Sequence, residues 1–182
     1  MITFQRITSP SDSRFPEMLK LYKSAFPSTE RRSTGELQQE IKNSERFYAN
    51  ALMSDNKMVG IFNYWIFDSF IYLEHFAVNP DLRGKNLGAK SLETLKKIAG
   101  KHLVVLEVEM PQTAIATRRI EFYKRSGFDI VPKDYAQPPY NSHGFMLPML
   151  LMADNVHVAK TQFEKIKNSI YKEVYRYKMQ ES

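Results

Sequence analysis

Residues 74–89 read Glu-His-Phe-Ala-Val-Asn-Pro-Asp-Leu-Arg-Gly-Lys-Asn-Leu-Gly-Ala. It predicts the end of a strand, a short loop that contains glycine, and the start of a helix. Such a geometry points several backbone N–H groups at one spot, beside the positive end of a helix dipole. Arg83 and Lys85 add positive charge to the loop. The stretch predicts an anion site, although a capped turn with solvated basic residues fits the same residues.

Hydrophobic periodicity on both sides of the loop predicts a mixed α/β chain. Before the loop it predicts a strand at 2–7, helices at 15–26 and from 34, and strands at 47–53, 58–70 and 71–78. After the loop it predicts helices at 88–99 and 117–125, strands at 103–108, 128–131 and 145–152, and a final amphipathic helix. The order favours antiparallel strands first and a right-handed crossover later. We expect a domain over 1–154 and a C-terminal amphipathic helix over 155–182.

Composition narrows the class of protein. The chain has 182 residues, a formal net charge of +6 and no cysteine, which excludes disulfides, cysteine-based zinc sites and thiol nucleophiles. No stretch approaches the roughly 18 uncharged apolar residues that a membrane span needs, and no signal peptide is visible, so we expect a cytoplasmic protein without membrane partners. We expect no metal, because His102, His143 and His157 are too scattered for a ligand set.

The loop matches a known motif. It resembles the acetyl-CoA-binding motif of the GNAT family of N-acetyltransferases, written Q/R-x-x-G-x-G/A. Arg83 fills the first position and Gly88 the last, whereas Asn86 stands where a glycine is usual. That position chiefly supplies a backbone N–H, and asparagine tolerates unusual φ angles better than most residues.

A second segment is similar to the same family. Residues 119–128 match its later signature, a helix that ends in FY-x-x-x-GF, with Tyr123 and Gly127 at the matching positions. The family places an asparagine six residues before the phenylalanine of this FY pair, and this chain has Ala116 there. In the family that asparagine contacts the CoA arm, and Thr117 is a candidate to replace the contact. The resemblance implies the GNAT acyl-CoA N-acyltransferase fold, a mixed parallel and antiparallel sheet flanked by helices, with the final helix as an addition.

The resemblance also implies the residues that bind acetyl-CoA, the expected co-substrate. The end of the strand would hold the pantetheine arm by backbone hydrogen bonds, and the N–H near Phe76 would polarise the carbonyl. The loop and the start of the helix would hold the pyrophosphate. The resulting cofactor-binding candidates are Phe76, Ala77, Val78, Arg83, Gly84, Lys85, Asn86, Leu87, Gly88 and Ala89.

Two residues are candidates for proton transfer. Strand alternation predicts Tyr72, Glu74 and Phe76 on one face, where the family places its base or the residues that order a water relay. It predicts His75 on the opposite face, in a core or cross-strand role. Glu74 is the candidate base, with a surface glutamate as the alternative and Tyr72 as the lesser candidate. Tyr123 matches the tyrosine that the family commonly uses to protonate the leaving CoA sulfur.

The acceptor is less constrained. Residues 135–140 lie where the family often borders its acceptor groove, and Tyr135, Tyr140 and Tyr72 are weak acceptor-binding candidates; a rigid surface turn fits equally. The final helix has a basic face that includes Lys178, compatible with packing on the domain or on a second subunit. The sequence thus predicts direct acetyl transfer to a primary amine. The alternatives are a non-catalytic acyl-CoA-binding module and a basic nucleic-acid-binding protein, although nucleic acid is not an expected partner.

Overall fold

The computed structural model describes residues 2–140 and 144–177, so His143 and Lys178 lie outside the described residues. The chain divides into two units, Met1–His102 and Leu103–Ser182. The predicted division into 1–154 and 155–182 stays a prediction. No helix within the described ranges is long and apolar enough to cross a membrane.

The first unit is an antiparallel sheet with three α-helices among its described residues. In chain order its elements are β1 (Ile2–Arg6), α1 (Phe15–Ala25), α2 (Thr34–Asn43), β2 (Phe47–Tyr48), β3 (Asn50–Ser54), β4 (Lys57–Ile66), β5 (Phe70–Val78) and α3 (Leu87–Ala99), with 3₁₀ turns at Ser28–Glu30 and Pro80–Leu82. The sheet runs β1-β3-β4-β5, and β2 pairs with β4. The helix α1 packs on β4 and β5, whereas α3 packs on β1 and β5.

The strand predicted over 47–53 is wrong in one respect, because it is two strands, β2 and β3. The side chain of Asn50 donates to the carbonyls of Tyr48 and Phe62 at 3.0 and 2.9 Å. These bonds to the backbone compete with a continuous strand ladder at the junction. Asn50 and its neighbour in space, Asn63, are both buried, so the break is fixed inside the sheet.

The pairing of β4 with β5 contains a β-bulge at Glu74. Asn63 pairs with His75 and Tyr64 pairs with Leu73, so Glu74 is an extra residue on β5. A bulge leaves one residue outside the ladder and re-aims the side chains around it.

The bulge makes the predicted alternation wrong after Glu74. Trp65 pairs with Tyr72, and Asn63 pairs with His75. Trp65 and Asn63 are two positions apart on β4, so their partners Tyr72 and His75 share one face of the sheet. Phe76 lies on the other face, where it packs against the cluster of Ile2 and neighbouring apolar residues. The core role predicted for His75 is confirmed, because its side chain is buried.

The second unit is built around one central strand. Its elements are β6 (Leu103–Glu109), α4 (Ala114–Arg125), β7 (Asp129–Ile130), β8 (Tyr135–Gln137), β9 (Leu147–Ala153), α5 (Val156–Thr161), α6 (Phe163–Ser169) and a π-helical segment, Ile170–Val174. The strand β9 pairs antiparallel with β6, β7 and β8. The strand β8 lies in a segment predicted as a loop, and its pairing with β9 is a long-range contact that local sequence does not encode.

The sequence predicts one continuous C-terminal helix, but the structure has three consecutive segments: α5, α6 and the π-helical segment. Asn155 caps α5 by accepting from the N–H of Val158 at 3.2 Å. The residues predicted to form the apolar stripe lie three or four positions apart: Phe163, Ile166, Ile170, Val174 and Tyr177. The first four are buried, which confirms the stripe at those positions. Tyr177 is 38% exposed, and the chain turns just before it at Arg176, whose φ is 53°.

Candidate functional site

The loop between β5 and α3 has the conformation that an anion site requires. Asn79 caps the 3₁₀ turn by accepting from the N–H of Asp81 at 3.1 Å. Gly84 follows with a φ of 83°, a value that L side chains rarely adopt. Asn86 has a φ of 58° and a ψ of 18°, so the asparagine adopts the left-handed conformation for which glycine is usual at this position.

The start of α3 presents backbone donors to this loop. The first bond of the helix runs from the N–H of Lys90 to the carbonyl of Asn86 at 3.2 Å. The N–H groups of Leu87, Gly88 and Ala89 therefore have no acceptor inside the helix. Arg83 and Lys85 are exposed beside them. Oriented N–H groups, a helix N-terminus and two cations together favour an anion at this position.

The end of β5 lies close to β4 at Gly60. A Cβ atom added to Gly60 would lie 2.4 Å from the backbone oxygen of Ala77 and 3.2 Å from the Cα of Val78. Glycine is therefore required for this close approach of the two strands. Phe76, Ala77 and Val78 are half-buried, and Leu87 packs with Phe76 and Val78 on the same apolar cluster, which joins the strand end to the start of α3.

Glu74 is fully buried and already engaged. Its side chain has an exposed fraction of 0%, and it forms an ion pair and hydrogen bond with Arg32, whose side chain is 5% exposed. Trp65 Nε1 donates to Glu74 Oε2 at 2.7 Å. Burial alone would raise the pKa of Glu74, but the charge of Arg32 and the hydrogen bonds from Trp65 and Arg32 outweigh it and hold the pKa below its usual value. The carboxylate is therefore ionised and a weak proton acceptor.

Arg32 is the buried ion-pair partner of Glu74, and the sequence analysis missed it. It lies in the segment between α1 and α2, 42 positions from Glu74 along the chain. Its backbone N–H donates to the hydroxyl of Tyr22 at 3.0 Å. Its guanidinium lies over the rings of Trp65 and Phe47 at 5.4 and 5.7 Å from their centroids. No local motif surrounds Arg32, so only its three-dimensional contacts could identify it.

His75 holds the same segment from the neighbouring position. Its Nε2 lies 3.0 Å from the carbonyl of Glu30, and its ring makes edge contacts with Tyr22 and Phe26 at 4.9 and 4.6 Å. Burial lowers the pKa of His75 more than the charge of Glu74 raises it, so the imidazole is neutral. Glu74 and His75 together fasten the segment from Phe26 to Arg32 onto β5.

Tyr123 lies on α4 in the second unit. It is buried with Ile120, and its ring makes an edge contact with Phe128 at 6.1 Å. Burial raises the pKa of Tyr123 to about 12, so the phenol keeps its proton at neutral pH. Ala116 is buried and Thr117 is exposed on the first turns of the same helix, which begins at the cap Thr113.

The three acceptor-binding candidates lie in different surroundings. Tyr72 is 1% exposed within β5 of the first unit. Tyr135 is buried on β8 in the second unit and donates its hydroxyl hydrogen to Glu107, a residue that the sequence analysis did not single out. Tyr140 is half-buried and packs against Tyr175 at 4.9 Å. In the second unit Tyr135 is linked to Tyr140 through Glu107 and Tyr175, whereas Tyr72 belongs to the core of the first unit.

No group of three or more histidine, aspartate or glutamate side chains suited to a metal ion occurs within 2–140 and 144–177. The groups that could hold a ligand in the first unit are the N–H donors of 84–89 and the backbone of 76–78. The N–H donors at the helix N-terminus suit an anionic group such as a phosphate.

Known proteins resemble this chain in sequence and in structure. A model of the acetyltransferase (GNAT) family matches residues 15–128, more than half of the chain. A Bacteroides thetaiotaomicron protein assigned to that family is 38% identical with a TM-score of 0.91, over 97% of this chain and 99% of that one. The Bacillus subtilis protein YjbC, assigned as an acetyltransferase, is 29% identical over 103 residues, 57% of this chain and 52% of that protein. The chain thus spans about half the length of this curated relative.

A more distant structure shares the fold. A GNAT family acetyltransferase from Elizabethkingia anophelis with acetyl-CoA bound is 14% identical with a TM-score of 0.54, over 84% of this chain and 96% of that one. These likenesses confirm the predicted fold class, a mixed parallel and antiparallel sheet flanked by helices. The match over residues 15–128 shows that the chain belongs to the acetyltransferase (GNAT) family.

Proposed function

We propose that the chain is an acetyl-CoA-dependent N-acetyltransferase that transfers the acetyl group directly to a primary amine. The observation that carries the proposal is the loop from Arg83 to Ala89. Gly84 and Asn86 have positive φ there, and the first backbone N–H groups of α3 have no acceptor within the helix. The membership of the family and the acetyl-CoA bound to the Elizabethkingia anophelis relative support the choice of ligand.

The loop and the end of β5 have separate roles in this proposal. The N–H groups of residues 84–89 hold the pyrophosphate, and Arg83 and Lys85 add attraction from solvent-exposed positions. The backbone of Phe76, Ala77 and Val78 holds the pantetheine arm, and the N–H near Phe76 polarises the thioester carbonyl. Bound acetyl-CoA supplies an activated acetyl group as a thioester.

Tyr123 is the proposed general acid. The leaving thiolate needs a proton, and a phenol with a pKa near 12 is protonated at neutral pH and can donate it. The chain has no cysteine, which agrees with direct transfer rather than an acyl-cysteine intermediate.

Glu74 has a positioning role in this proposal. Its carboxylate is sealed from solvent, paired with Arg32 and held at a lowered pKa, so it is poorly suited to take a proton from an ammonium group near pKa 10. It holds Arg32 and the segment before α2 on the bulge of β5. The amine proton then leaves through water, which is the second of the two routes that the family resemblance implies.

Binding and turnover test the proposal in sequence. In a thermal-shift experiment, acetyl-CoA at one hundred times its Kd should stabilise the chain by about 2.7 kcal/mol, whereas acetate and ATP at the same concentration should not. Release of free CoA thiol with a panel of primary amines should then show catalysis. Acetyl-CoA binding without turnover on any amine would favour the non-catalytic acyl-CoA-binding module, and the absence of any CoA-dependent shift would remove the proposal.

A further inference from the structure

Arg119 and Tyr123 lie four positions apart on α4, so they are neighbours on the same side of that helix. Tyr123 is buried, and its ring contacts those of Phe122 and Phe128, with centroids at 5.2 and 6.1 Å. Arg119 is exposed, so its guanidinium stays charged. The helix therefore places a permanent cation beside a buried phenol whose ring is held by its neighbours.

Glu109 holds the Arg119 guanidinium. Glu109 is the last residue of β6, and its backbone is fixed in the sheet by pairing with Met149 on β9. Arg119 Nη1 donates to both carboxylate oxygens of Glu109. Because α4 packs on β6, this ion pair ties the arginine side chain to the sheet beneath the helix.

The ion pair between Arg119 and Glu109 contributes little to stability by itself. The two side chains are 44% and 34% exposed, and water screens ion pairs at such positions. Interactions with a buried group are screened much less. The larger effect of the two charges is therefore on the ionisation of the buried phenol beside them.

The two charges act on Tyr123 in opposite directions. Burial raises the pKa of Tyr123 most, the charge of Arg119 lowers it and the charge of Glu109 raises it, and the resulting value is about 12. No hydrogen bond contributes to this pKa among the residues that the structure describes. The proton affinity of the phenol therefore depends on its burial and on the balance of the two charges.

We propose that Arg119 is a positioning residue for the proton donor Tyr123: held by Glu109, its guanidinium stabilises the phenolate that Tyr123 becomes when it gives up its proton. This inference rests on the proposed function for the identity of the acid, but the electrostatic contact belongs to the second unit alone. In the step itself, the O–H bond of Tyr123 breaks and an S–H bond forms on the leaving CoA thiolate. The phenolate then regains a proton from water.

A purely structural role for the ion pair makes a different prediction. If Arg119 and Glu109 only fasten α4 to β6, removal of either charge breaks the same contact, so both variants should affect Tyr123 in the same direction. If Arg119 acts through its charge, the two variants should have opposite effects on the phenol. The sign of the effect therefore separates the two roles.

The direct test is a titration of the phenol at position 123 in the full chain. A monofluorinated tyrosine is incorporated at that position alone, because fluorine lowers the pKa of a phenol, and its ionisation is followed by fluorine NMR. Arg119→Met should raise this pKa by at least about 0.5, and Glu109→Gln should lower it by at least about 0.3. Arg119→Lys keeps a cation, so its pKa should lie between those of the wild type and Arg119→Met.

The matched control is a second exposed ion pair on the same helix. Lys124 Nζ lies 3.5 Å from Glu121 Oε1. Positions one or two residues from Tyr123 do not face it across the helix surface. Lys124→Met and Glu121→Gln should therefore each move the pKa of the phenol by less than about 0.2.

Turnover gives a second readout. With saturating substrates, Arg119→Met should lower kcat by about three- to tenfold, because a higher pKa makes Tyr123 a weaker acid. The KM for acetyl-CoA should stay within about twofold, since the change concerns the transition state and not ligand binding. Glu109→Gln should leave kcat unchanged or raise it.

The results separate this inference from the proposed function. An unchanged pKa in Arg119→Met, or shifts of the same sign in Arg119→Met and Glu109→Gln, would overturn the positioning role, even if Tyr123→Phe abolishes turnover. An undiminished kcat in Arg119→Met would overturn it as well. Opposite shifts in a chain that transfers no acetyl group would support the electrostatic contact and remove the proposed reaction.

Discussion

Replacement of Arg32 by methionine tests the buried ion pair on β5. Methionine keeps the length and much of the apolar surface of arginine but removes the charge. Trp65 Nε1 still donates to Glu74 Oε2 at 2.7 Å, within a site where the Glu74 side chain is 0% exposed. The variant therefore leaves a buried carboxylate without its cation.

The expected loss is large for a single substitution. Removal of one partner from a buried ion pair typically costs about 3–5 kcal/mol, because the remaining charge is desolvated and unpaired. In a protein of this size, 1 kcal/mol lowers the Tm by about 2–4 °C, so Arg32→Met should lower it by about 6–20 °C. The matched control is Arg46→Met, since Arg46 and Asp68 form an exposed pair with side chains 46% and 88% exposed. Its loss should be below about 1 kcal/mol.

The pH dependence supplies a second readout. In the wild-type chain the pKa of Glu74 is lowered, so its stabilising contribution is present above the unfolded pKa and is lost as pH falls through the folded pKa. In Arg32→Met, burial dominates and raises the pKa of Glu74, so the variant regains stability when the carboxyl is protonated. Urea unfolding should show a large difference in unfolding free energy between the two chains at neutral pH, and this difference should become smaller at about pH 4 to 5.

A double variant makes the reasoning refutable. Arg32→Met with Glu74→Gln also removes the buried charge that has lost its cation and should recover part of the loss, so it should be more stable than Arg32→Met alone near neutral pH. A loss below about 1 kcal/mol in Arg32→Met, or a gap that does not change with pH, would show that the Arg32–Glu74 pair does not hold the segment as described.

Three further predictions concern the proposed acetyl-CoA site. Gly60→Ala places a Cβ 2.4 Å from the backbone oxygen of Ala77, so we expect a stability loss of about 1–3 kcal/mol by urea unfolding. Calorimetry should show acetyl-CoA binding that is weaker by about tenfold or more, because the end of β5 is displaced. Unchanged affinity would contradict the proposed role of the end of β5. Asn86→Val should cost about 1–2 kcal/mol because of its φ of 58°, whereas Asn86→Gly should be tolerated, and equal unfolding midpoints for the two would refute the conformational argument. Tyr123→Phe should lower kcat by about 10²–10⁴-fold with saturating substrates, and a loss below about tenfold would exclude it as the general acid.

Local features of the chain could be predicted from the sequence because short-range physics decides them. The loop from Arg83 to Gly88 has the positive φ at Gly84 and Asn86 that its residue types allow, and α3 begins where the pattern changes period. The helix α1 buries its apolar stripe, and Gly127 ends the helix that carries Tyr123 with a φ of 78°. In each case the deciding interactions lie within a few residues.

The sequence by itself therefore determined the family and the fold class, since these depend on motif spacing and period. Only the tertiary structure decided the surroundings of the charged residues. The bulge at Glu74 depends on the register of β4 with β5, which no local pattern encodes. Glu74 finds Arg32 across 42 positions of the chain, and Glu107 finds Tyr175 across 68. Burial raises the pKa of a carboxyl group, and a nearby cation lowers it, so the pKa of Glu74 depends on contacts that only the fold creates. With Arg32 beside it, Glu74 is an ionised carboxylate in an ion pair rather than the base that the sequence predicted.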